Sequence, residues 1–358
     1  MNVITIILLI FAVLGAIDRI FGNRFGLGGE FERGFGLLGP MSLTMIGVLV
    51  IAPALASWLE PFFTGFYNIF GIDPSIIPAS LFANDMGGVG LSLSTCKDEY
   101  VGAFNAYVVS SMMGCTISYT LPLALSVVKR EQHKDLFFGL LCGIITIPVG
   151  CFISGLICKI HPLTLIKTLL PIIILAALIA LGIIFAQNLC IKIFKCVAIF
   201  MNALITIGLI IGIFTAVTGI EIAPQFDSYD NAALVCARAA ITLAGAFPLM
   251  FVITKILAAP IRSIGRKTGL NAVSTVSLLS TIVSATPVLG IMGEMDRKGV
   301  VLNSAFAVSA AFTFGGHLAF TMAYDPSYTT AMIIGKLISG VAALLLAGLL
   351  YKKREGKI

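Results

Sequence analysis

A carboxylate stands in the middle of an apolar stretch of the chain, at Asp85 within Asn84-Asp85-Met86-Gly87-Gly88. A charged side chain at membrane depth costs about 3 kcal/mol on the scale obtained from insertion experiments, so it has to be paired or solvated. Such a group suits a small cation, either a substrate or a coupling ion, and Asn84 adds an amide donor and acceptor. Gly87 lets the chain turn and brings its backbone close to a ligand. The structural alternative is that Asp85 caps the amino terminus of a half-helix.

A second interruption, Ser284-Ala285-Thr286-Pro287, lies in another apolar stretch. The hydroxyl groups of Ser284 and Thr286 can form hydrogen bonds with a hydroxyl group of a substrate. Pro287 leaves a carbonyl group of the preceding turn without its helical donor. Ordinary packing of small residues explains the same string, and both interpretations stay open.

His317 is the one histidine of three that falls inside an apolar span. A buried histidine can bind a proton near neutral pH or form a hydrogen bond to a neighbouring helix, and both roles stay open. Gly315 and Gly316 before it predict a bend or a close helix approach. Lys336, near the start of the last span, is predicted to extend its ammonium group to the membrane surface.

The composition places these residues in a membrane. Of the 358 residues, 58% are hydrophobic and 11% are charged, with a mean hydropathy of +1.05, whereas soluble domains have about 45–50% apolar and about 25% charged residues. The net charge of +6 does not indicate nucleic-acid binding, because the basic residues form short clusters between apolar runs. The cysteines form no CxxC pair and no Cys/His spacing typical of zinc, so neither a metal nor a cofactor is expected.

Helices of about 20 apolar residues cross a bilayer, and the sequence contains nine such stretches. They are residues 3–20, 36–58, 102–128, 136–158, 164–188, 197–218, 233–258, 300–323 and 330–351. Two further apolar stretches, 74–95 and 269–293, contain the interruptions described above and are predicted to be broken. The predicted fold class is an all-α polytopic membrane protein.

The two broken stretches correspond to each other in an internal repeat. A shift of about 199 residues places Pro61 on Pro260 and Val109 on Val308, and brings the first interruption onto the second. We therefore predict a first repeat of five elements over residues 1–163, a linking helix and loop over 164–196, and a second repeat over 197–358.

The distribution of basic residues indicates whether the two broken stretches cross the membrane. If both cross the membrane, the chain has eleven spans, and the basic loop 262–267 and the basic tail 352–357 fall on opposite faces. If each enters and leaves by one face, the basic segments share a face, which the positive-inside rule makes cytoplasmic. We favour this second topology, with nine crossings, two re-entrant segments, the amino terminus outside and the carboxyl terminus cytoplasmic. The halves are then inverted, and residues 98 and 325 are both expected outside.

This architecture is typical of secondary transporters. Irregular backbone at membrane depth is tolerated only where it is buried in protein or lines a cavity. Two breaks at corresponding places of inverted halves predict a binding site near the membrane midplane, at the point where the breaks meet.

Several ordered strings resemble the ethanolamine permease family of the ethanolamine-utilisation pathway. They are Asn84-Asp85-Met86-Gly87-Gly88, Pro287-x-x-Gly290-x-Met292, the run from Asn303 to Phe312, Gly315-x-His317-Leu-Ala-Phe320 and Ile334-Gly-Lys-Leu337, and the similarity extends along the chain. The resemblance implies uptake of ethanolamine across the cytoplasmic membrane, which would feed a cobalamin-dependent lyase in the cytosol.

Ethanolamine is a small ammonium ion with one hydroxyl group. Asp85 would pair with the ammonium group, and Phe82 or Phe312 would add cation–π attraction of about 0.5–2 kcal/mol. The predicted substrate-binding residues are Asp85, Asn84, Gly87, Ser284, Thr286, Phe312 and His317. The predicted partners are ethanolamine or a similar small amine and membrane lipid; no nucleic acid is expected, and a homo-oligomer is compatible with the sequence.

Other functions stay open. A proton- or sodium-coupled secondary transporter of another small amine or metabolite would have the same architecture. An intramembrane protease would need a Ser/His or His/His/Asp set at membrane depth, and the sequence contains neither HExxH nor GxSxG. A sensor or scaffold would need soluble regions larger than the longest predicted loop, residues 21–35. The sequence thus predicts a transporter and not an enzyme.

Overall fold

The computed structural model of the chain describes residues 3–355, and over that range it consists of helices without a β-strand. In chain order the α-helices are α1 (Val3–Ile20), α2 (Leu27–Gly36), α3 (Leu38–Trp58), α4 (Glu60–Phe70), α5 (Ile76–Leu81), α6 (Gly88–Thr95), α7 (Glu99–Phe104), α8 (Leu121–Val127), α9 (His133–Ile157), α10 (Pro162–Phe185), α11 (Gln187–Thr218), α12 (Tyr229–Thr268), α13 (Ala272–Val283), α14 (Ala285–Gly290), α15 (Arg297–Ala310), α16 (Gly316–Tyr324) and α17 (Thr329–Glu355). The all-α prediction is confirmed. Residues 356–357 of the predicted basic tail lie outside the described residues.

Eight helical stretches within residues 3–355 are long and apolar enough to cross a membrane. They are Val3–Ile20, Leu27–Trp58, Glu99–Val127, Arg130–Ile157, Pro162–Phe185, Gln187–Thr218, Tyr229–Thr268 and Pro326–Arg354. In the third, α7 and α8 are joined by π-helical turns over Asn105–Gly114 and Thr116–Thr120. These stretches correspond to eight of the nine predicted spans, and the protein is a multi-pass membrane protein.

The predicted loop over residues 21–35 is wrong in its second part, where α2 forms and packs against α1 and α12. The buried carboxylate of Asp18 accepts hydrogen bonds from the backbone N–H groups of Phe25, Leu27 and Gly28, at 2.8–3.0 Å. These bonds satisfy donors at the start of α2 that have no partner within the helix, so the chain turns directly from α1 into α2.

The predicted unbroken span over residues 300–323 is also wrong. It is divided into α15 and α16 by an irregular segment in which Phe312 has a φ of 60°. The N–H group of Phe312 donates to the carbonyl oxygen of Thr281 (3.2 Å), and that of Phe314 donates to Ile282 (2.9 Å). The break is stable because the end of α13 supplies the hydrogen bonds that the helix gives up.

The first broken segment is a hairpin, here called hairpin 1 (residues 73–98). It consists of α5, a 3-10 turn over Asn84–Met86 and α6. Its two ends are joined, since Asp73 accepts hydrogen bonds from the backbone N–H groups of Lys97 (2.9 Å) and Asp98 (2.8 Å). The ends of a crossing segment would lie about 30 Å apart, so hairpin 1 enters and leaves by one face.

The second broken segment, hairpin 2 (residues 271–296), contains α13 and α14 and is closed in the same way. The Asp296 carboxylate accepts hydrogen bonds from the Asn271 N–H group (3.0 Å) and the Ser274 hydroxyl group (2.6 Å). The Asn271 side-chain amide also donates to the carbonyl oxygen of Glu294 (2.9 Å). The alternative of eleven full spans is therefore wrong.

The two hairpins enter from opposite faces. The buried carboxylate of Asp135 binds Arg297, directly after hairpin 2, at 3.0 Å, and Arg354, near the end of α17, at 3.1 Å. With 27 residues, α17 is about 40 Å long, so its start lies on the other face. There, Glu99, directly after hairpin 1, and Asp325 line one cavity. Residues 98 and 325 share a face, as the favoured topology requires.

Candidate functional site

The tip of hairpin 1 presents a carboxylate and an amide to the centre of the protein. Asp85 lies in the 3-10 turn, and Gly87 directly after the turn has a φ of 97°. A Cβ atom at Gly87 would lie 2.4 Å from Cγ1 of Val48 in α3. Glycine is therefore needed both for the left-handed conformation and for the close packing of the tip against α3.

Asp85 faces His317 at the start of α16. Its Oδ1 atom lies 3.9 Å from Nε2 of His317, whose side chain is 1% exposed, while that of Asp85 is 25% exposed. A Cβ atom at Gly316 would lie 2.9 Å from Oδ2 of Asp85, so the glycine leaves room for the carboxylate. The break between α15 and α16 thus brings a buried histidine to a partly exposed carboxylate.

Behind His317 lies a third ionisable group, the fully buried Lys336 of α17. Its Nζ atom donates to the carbonyl oxygen of Ser111 (2.6 Å) and lies 3.0 Å from Nδ1 of His317. A protonated lysine can only donate, so Nδ1 then accepts and Nε2 carries the imidazole hydrogen toward Asp85. The predicted position of Lys336 at the membrane surface is wrong, because its side chain turns inward to these two acceptors.

Asn84 joins the same cluster. Its amide nitrogen donates to the carbonyl oxygen of His317 (3.3 Å) and lies 3.4 Å from the hydroxyl group of Thr321. Its Oδ1 atom is buried and has no hydrogen-bond partner among the described residues. A buried acceptor without a donor costs about 1–3 kcal/mol, and a ligand with an N–H or O–H group can offset this cost.

Aromatic side chains connect this cluster to hairpin 2. The Phe312 ring lies 5.3 Å from the His317 ring and 5.5 Å from the ring of Tyr119, measured between centroids. The Tyr119 hydroxyl group lies 2.8 Å from Oγ1 of Thr286 in α14. A continuous set of contacts therefore runs from the tip of hairpin 1 to the tip of hairpin 2.

Ser284 is located differently from the other predicted residues. It is the extended residue between α13 and α14, with φ −157° and ψ 128°. Together with Pro287 and Phe247 it lines a cavity of about 250 Å³. The ion pair between Arg33 and Glu30, at 3.2 Å, lies in the wall of the same cavity.

A larger cavity, of about 540 Å³, opens beside the ends of hairpin 1. Its walls carry the carboxylates of Glu99 and Asp325 and the rings of Tyr100, Tyr107 and Tyr328. The rings of Tyr107 and Tyr328 lie 5.0 Å apart. Carboxylates and aromatic faces both attract cations, so this opening favours the approach of a positively charged solute.

Sequence reasoning missed two members of the central cluster, Lys336 and Tyr119. The position of Lys336 in its helix could have revealed it. Lys336 is the eighth residue of α17, about two helical turns from the start of the helix, and a lysine that reaches the membrane surface usually lies closer to the helix end. Tyr119 has no comparable signal, because a tyrosine in an apolar helix is common.

Comparisons with known proteins agree with the resemblance described above. A family model described as "Ethanolamine utilisation protein, EutH" matches residues 1–350. The chain is 40% identical over 360 residues to "Probable ethanolamine permease EutH" of Listeria monocytogenes and 33% identical over 392 residues to the protein of the same name of Escherichia coli. It is 35% identical over 356 residues to "Uncharacterized protein YxeR" of Bacillus subtilis. Each alignment covers 99% of this chain and 96% of the relative. No solved structure matches the chain.

Proposed function

The chain belongs to the EutH family of ethanolamine utilisation proteins, and from this premise we propose that it takes up ethanolamine across the cytoplasmic membrane. Two of the relatives carry the name of an ethanolamine permease. The helices of membrane-crossing length support the same role. A permease binds and releases its substrate unchanged, so the protein acts as a transporter and not as an enzyme.

The observation that carries this proposal is the position of Asp85. It is a partly exposed carboxylate at the tip of hairpin 1, and the side chains of His317, Phe312 and Tyr119 connect it to Thr286 at the tip of hairpin 2. The ammonium group of ethanolamine pairs with this carboxylate, and the ring of Phe312 adds cation–π attraction.

The hydroxyl group of ethanolamine donates to Oδ1 of Asn84, since this acceptor is buried and lacks a partner among the described residues. The hydroxyl group of Thr286 is already within hydrogen-bond distance of Tyr119, so Thr286 closes the site from the side of hairpin 2. Gly87 shapes the turn, His317 orients Asp85, and Ser284 lines the path that leaves the site.

Alternating access follows from an inverted repeat of residues 1–163 and 197–358. Corresponding residues support this division: the Asn105 amide donates to the hydroxyl group of Ser75 in hairpin 1, and the Asn303 amide donates to the backbone carbonyl oxygen of Ser274 in hairpin 2, both at 2.8 Å. The packing of α3 against α11 likewise has a counterpart in that of α12 against α1. Rocking of one half against the other opens the site first to the cavity at Glu99 and then to the cavity at Ser284.

The face that carries Arg297 and Arg354 is the cytoplasmic one in this proposal. The basic residues Lys129, Arg130 and Lys134 precede Asp135, to which both arginines bind. Positive charge concentrates on the cytoplasmic side of membrane proteins. The amino terminus and the cavity at Glu99 are then outside.

The direct test measures uptake of labelled ethanolamine by liposomes that contain the purified protein. Wild-type protein is expected to exceed protein-free liposomes, and Asp85→Asn is expected to lose at least about 100-fold in rate, since breaking a buried ion pair costs about 3–5 kcal/mol. Asp230→Asn, at an exposed position, is the matched control. Absence of wild-type uptake would refute the function; full activity of Asp85→Asn would refute only the site.

A further inference from the structure

A resident cation, Lys336, lies on the opposite side of the His317 ring from Asp85, where the proposed function places the ammonium group of the substrate. The titratable groups that face it are His317 on α16, Cys115 on the helix of residues 99–127, Cys151 on α9 and Asp85 on hairpin 1. The helix α15 also packs against α17, but its charged side chains are confined to its first turn.

The charges of this cluster balance only while the site is empty of substrate. One ammonium group, that of Lys336, faces one carboxylate, that of Asp85, across the ring of His317. A bound ethanolammonium ion adds a second positive charge and no negative charge. An uncompensated charge in a water-poor interior is strongly unfavourable, so substrate binding and the charge of Lys336 compete.

We propose that each ethanolammonium ion bound at Asp85 displaces one proton from Lys336, so that the permease exchanges a substrate cation for a proton. This inference rests on the proposed function and specifies the ion that is coupled to it. The net cargo is then the neutral amine, and transport moves no net charge.

The contacts supply a route for this proton. The N–H bond of Lys336 breaks and its proton moves over 3.0 Å to Nδ1 of His317. The N–H bond at Nε2 of His317 breaks in turn, and that proton passes to water beside the partly exposed carboxylate of Asp85, 3.9 Å away. Lys336 is left as a neutral amine that accepts from Nδ1–H, and the imidazole stays neutral. After the substrate leaves on the other side, a proton from that side returns by the reverse path.

Exchange and simple passage of the cation respond differently to a membrane potential. A cation that moves alone accumulates about fifty-fold at an inside-negative potential of about 100 mV. An exchange of one cation for one proton does not respond to the potential, and instead follows the proton gradient, by about tenfold per pH unit.

The first measurement uses wild-type protein in liposomes, with labelled ethanolamine and the rate in protein-free liposomes subtracted. A potassium diffusion potential set with valinomycin is expected to leave the initial rate unchanged, and an acidic interior is expected to raise it. Uptake that is accelerated by the potential and indifferent to the pH gradient overturns the exchange but leaves the proposed function standing. Uptake no faster than in protein-free liposomes removes the proposed function itself.

Two substitutions test whether the exchanged proton comes from Lys336 or from the substrate itself. Lys336→Met removes the exchangeable proton and is expected to make uptake sensitive to the potential. Lys336→Arg keeps a charge that is not released and is expected to abolish uptake in a protein that still elutes as a folded species. Lys352→Met, at the exposed end of the same helix, is the control. Uptake by Lys336→Met that stays insensitive to the potential, or normal uptake by Lys336→Arg, overturns the role of Lys336.

Discussion

Hairpin 1 and hairpin 2 have the same construction and different chemistry. Each contains a helix that ends at membrane depth, a break and a second short helix, and each is closed by hydrogen bonds of an aspartate at its ends. At the tip of hairpin 1 lie Asp85 and the Oδ1 atom of Asn84, which has no hydrogen-bond partner among residues 3–355. The corresponding part of hairpin 2 carries only hydroxyl groups. Closure of a hairpin is therefore separable from recognition of a cation, and we assign recognition to hairpin 1.

The largest effect on stability is expected from an added methyl group at the tip of hairpin 1. Gly87→Ala introduces a Cβ atom 2.4 Å from Val48 at a φ of 97°, which costs about 2–4 kcal/mol through strain and overpacking. Gly290→Ala in hairpin 2, whose Cβ position has no atom of the described part of the chain within 4 Å, serves as the control. In detergent, the midpoint temperature of thermal unfolding is expected to be clearly lower for Gly87→Ala than for the wild-type protein, and unchanged for Gly290→Ala. Equal midpoints for the two variants would show that the tip of hairpin 1 is not packed more tightly than hairpin 2 at Gly290.

A smaller effect, on binding rather than stability, is expected next to Asp85. Gly316→Ala places a methyl group 2.9 Å from Oδ2 of Asp85 and pushes the carboxylate away from its position. Affinity for ethanolamine, measured by calorimetry, is expected to decrease about tenfold, or about 1.4 kcal/mol.

Gly348→Ala in α17, where the Cβ position is open, controls for added helix propensity. Undiminished affinity of Gly316→Ala would show that the substrate does not use the carboxylate of Asp85.

The smallest effect is expected where the two hairpins are linked. Tyr119→Phe keeps the ring packed on Phe312 and removes the hydroxyl group that lies 2.8 Å from Thr286. A hydrogen bond of this kind contributes about 0.5–1.5 kcal/mol, so the uptake rate is expected to change by about two- to tenfold. Thr286→Val should produce the same change, and a combination of both should not be additive; additive effects would show that the two hydroxyl groups act separately.

Much of the architecture could be predicted from local patterns. Apolar runs of membrane length identify eight spans, because the bilayer imposes the same minimum length on every crossing helix. The breaks around Asp85 and Ser284 were also predictable, because each groups several glycine, proline or polar residues within four or five positions. A single proline such as Pro148 stays inside a continuous helix, so it is the grouping that favours a break. The internal repeat stays a prediction, supported by the corresponding positions of Asn105 and Asn303.

The break between α15 and α16 was not predictable to the same degree. Its freed N–H groups are satisfied by Thr281 and Ile282, which lie about 30 residues earlier in the chain. Without those acceptors the run from residue 300 to 323 is apolar enough to be helical throughout.

By itself, the sequence determined that this chain is a membrane protein and that Asp85 has to be paired or solvated within the membrane. Both conclusions follow from the hydropathy and charge of the residues themselves, whatever their neighbours in the fold are. Only the tertiary structure decided that Lys336 turns inward to His317 and that the ends of each hairpin meet. Those outcomes depend on hydrogen bonds between residues that are far apart in the chain. Such a bond forms only when the fold places the donor and the acceptor at the right distance and angle.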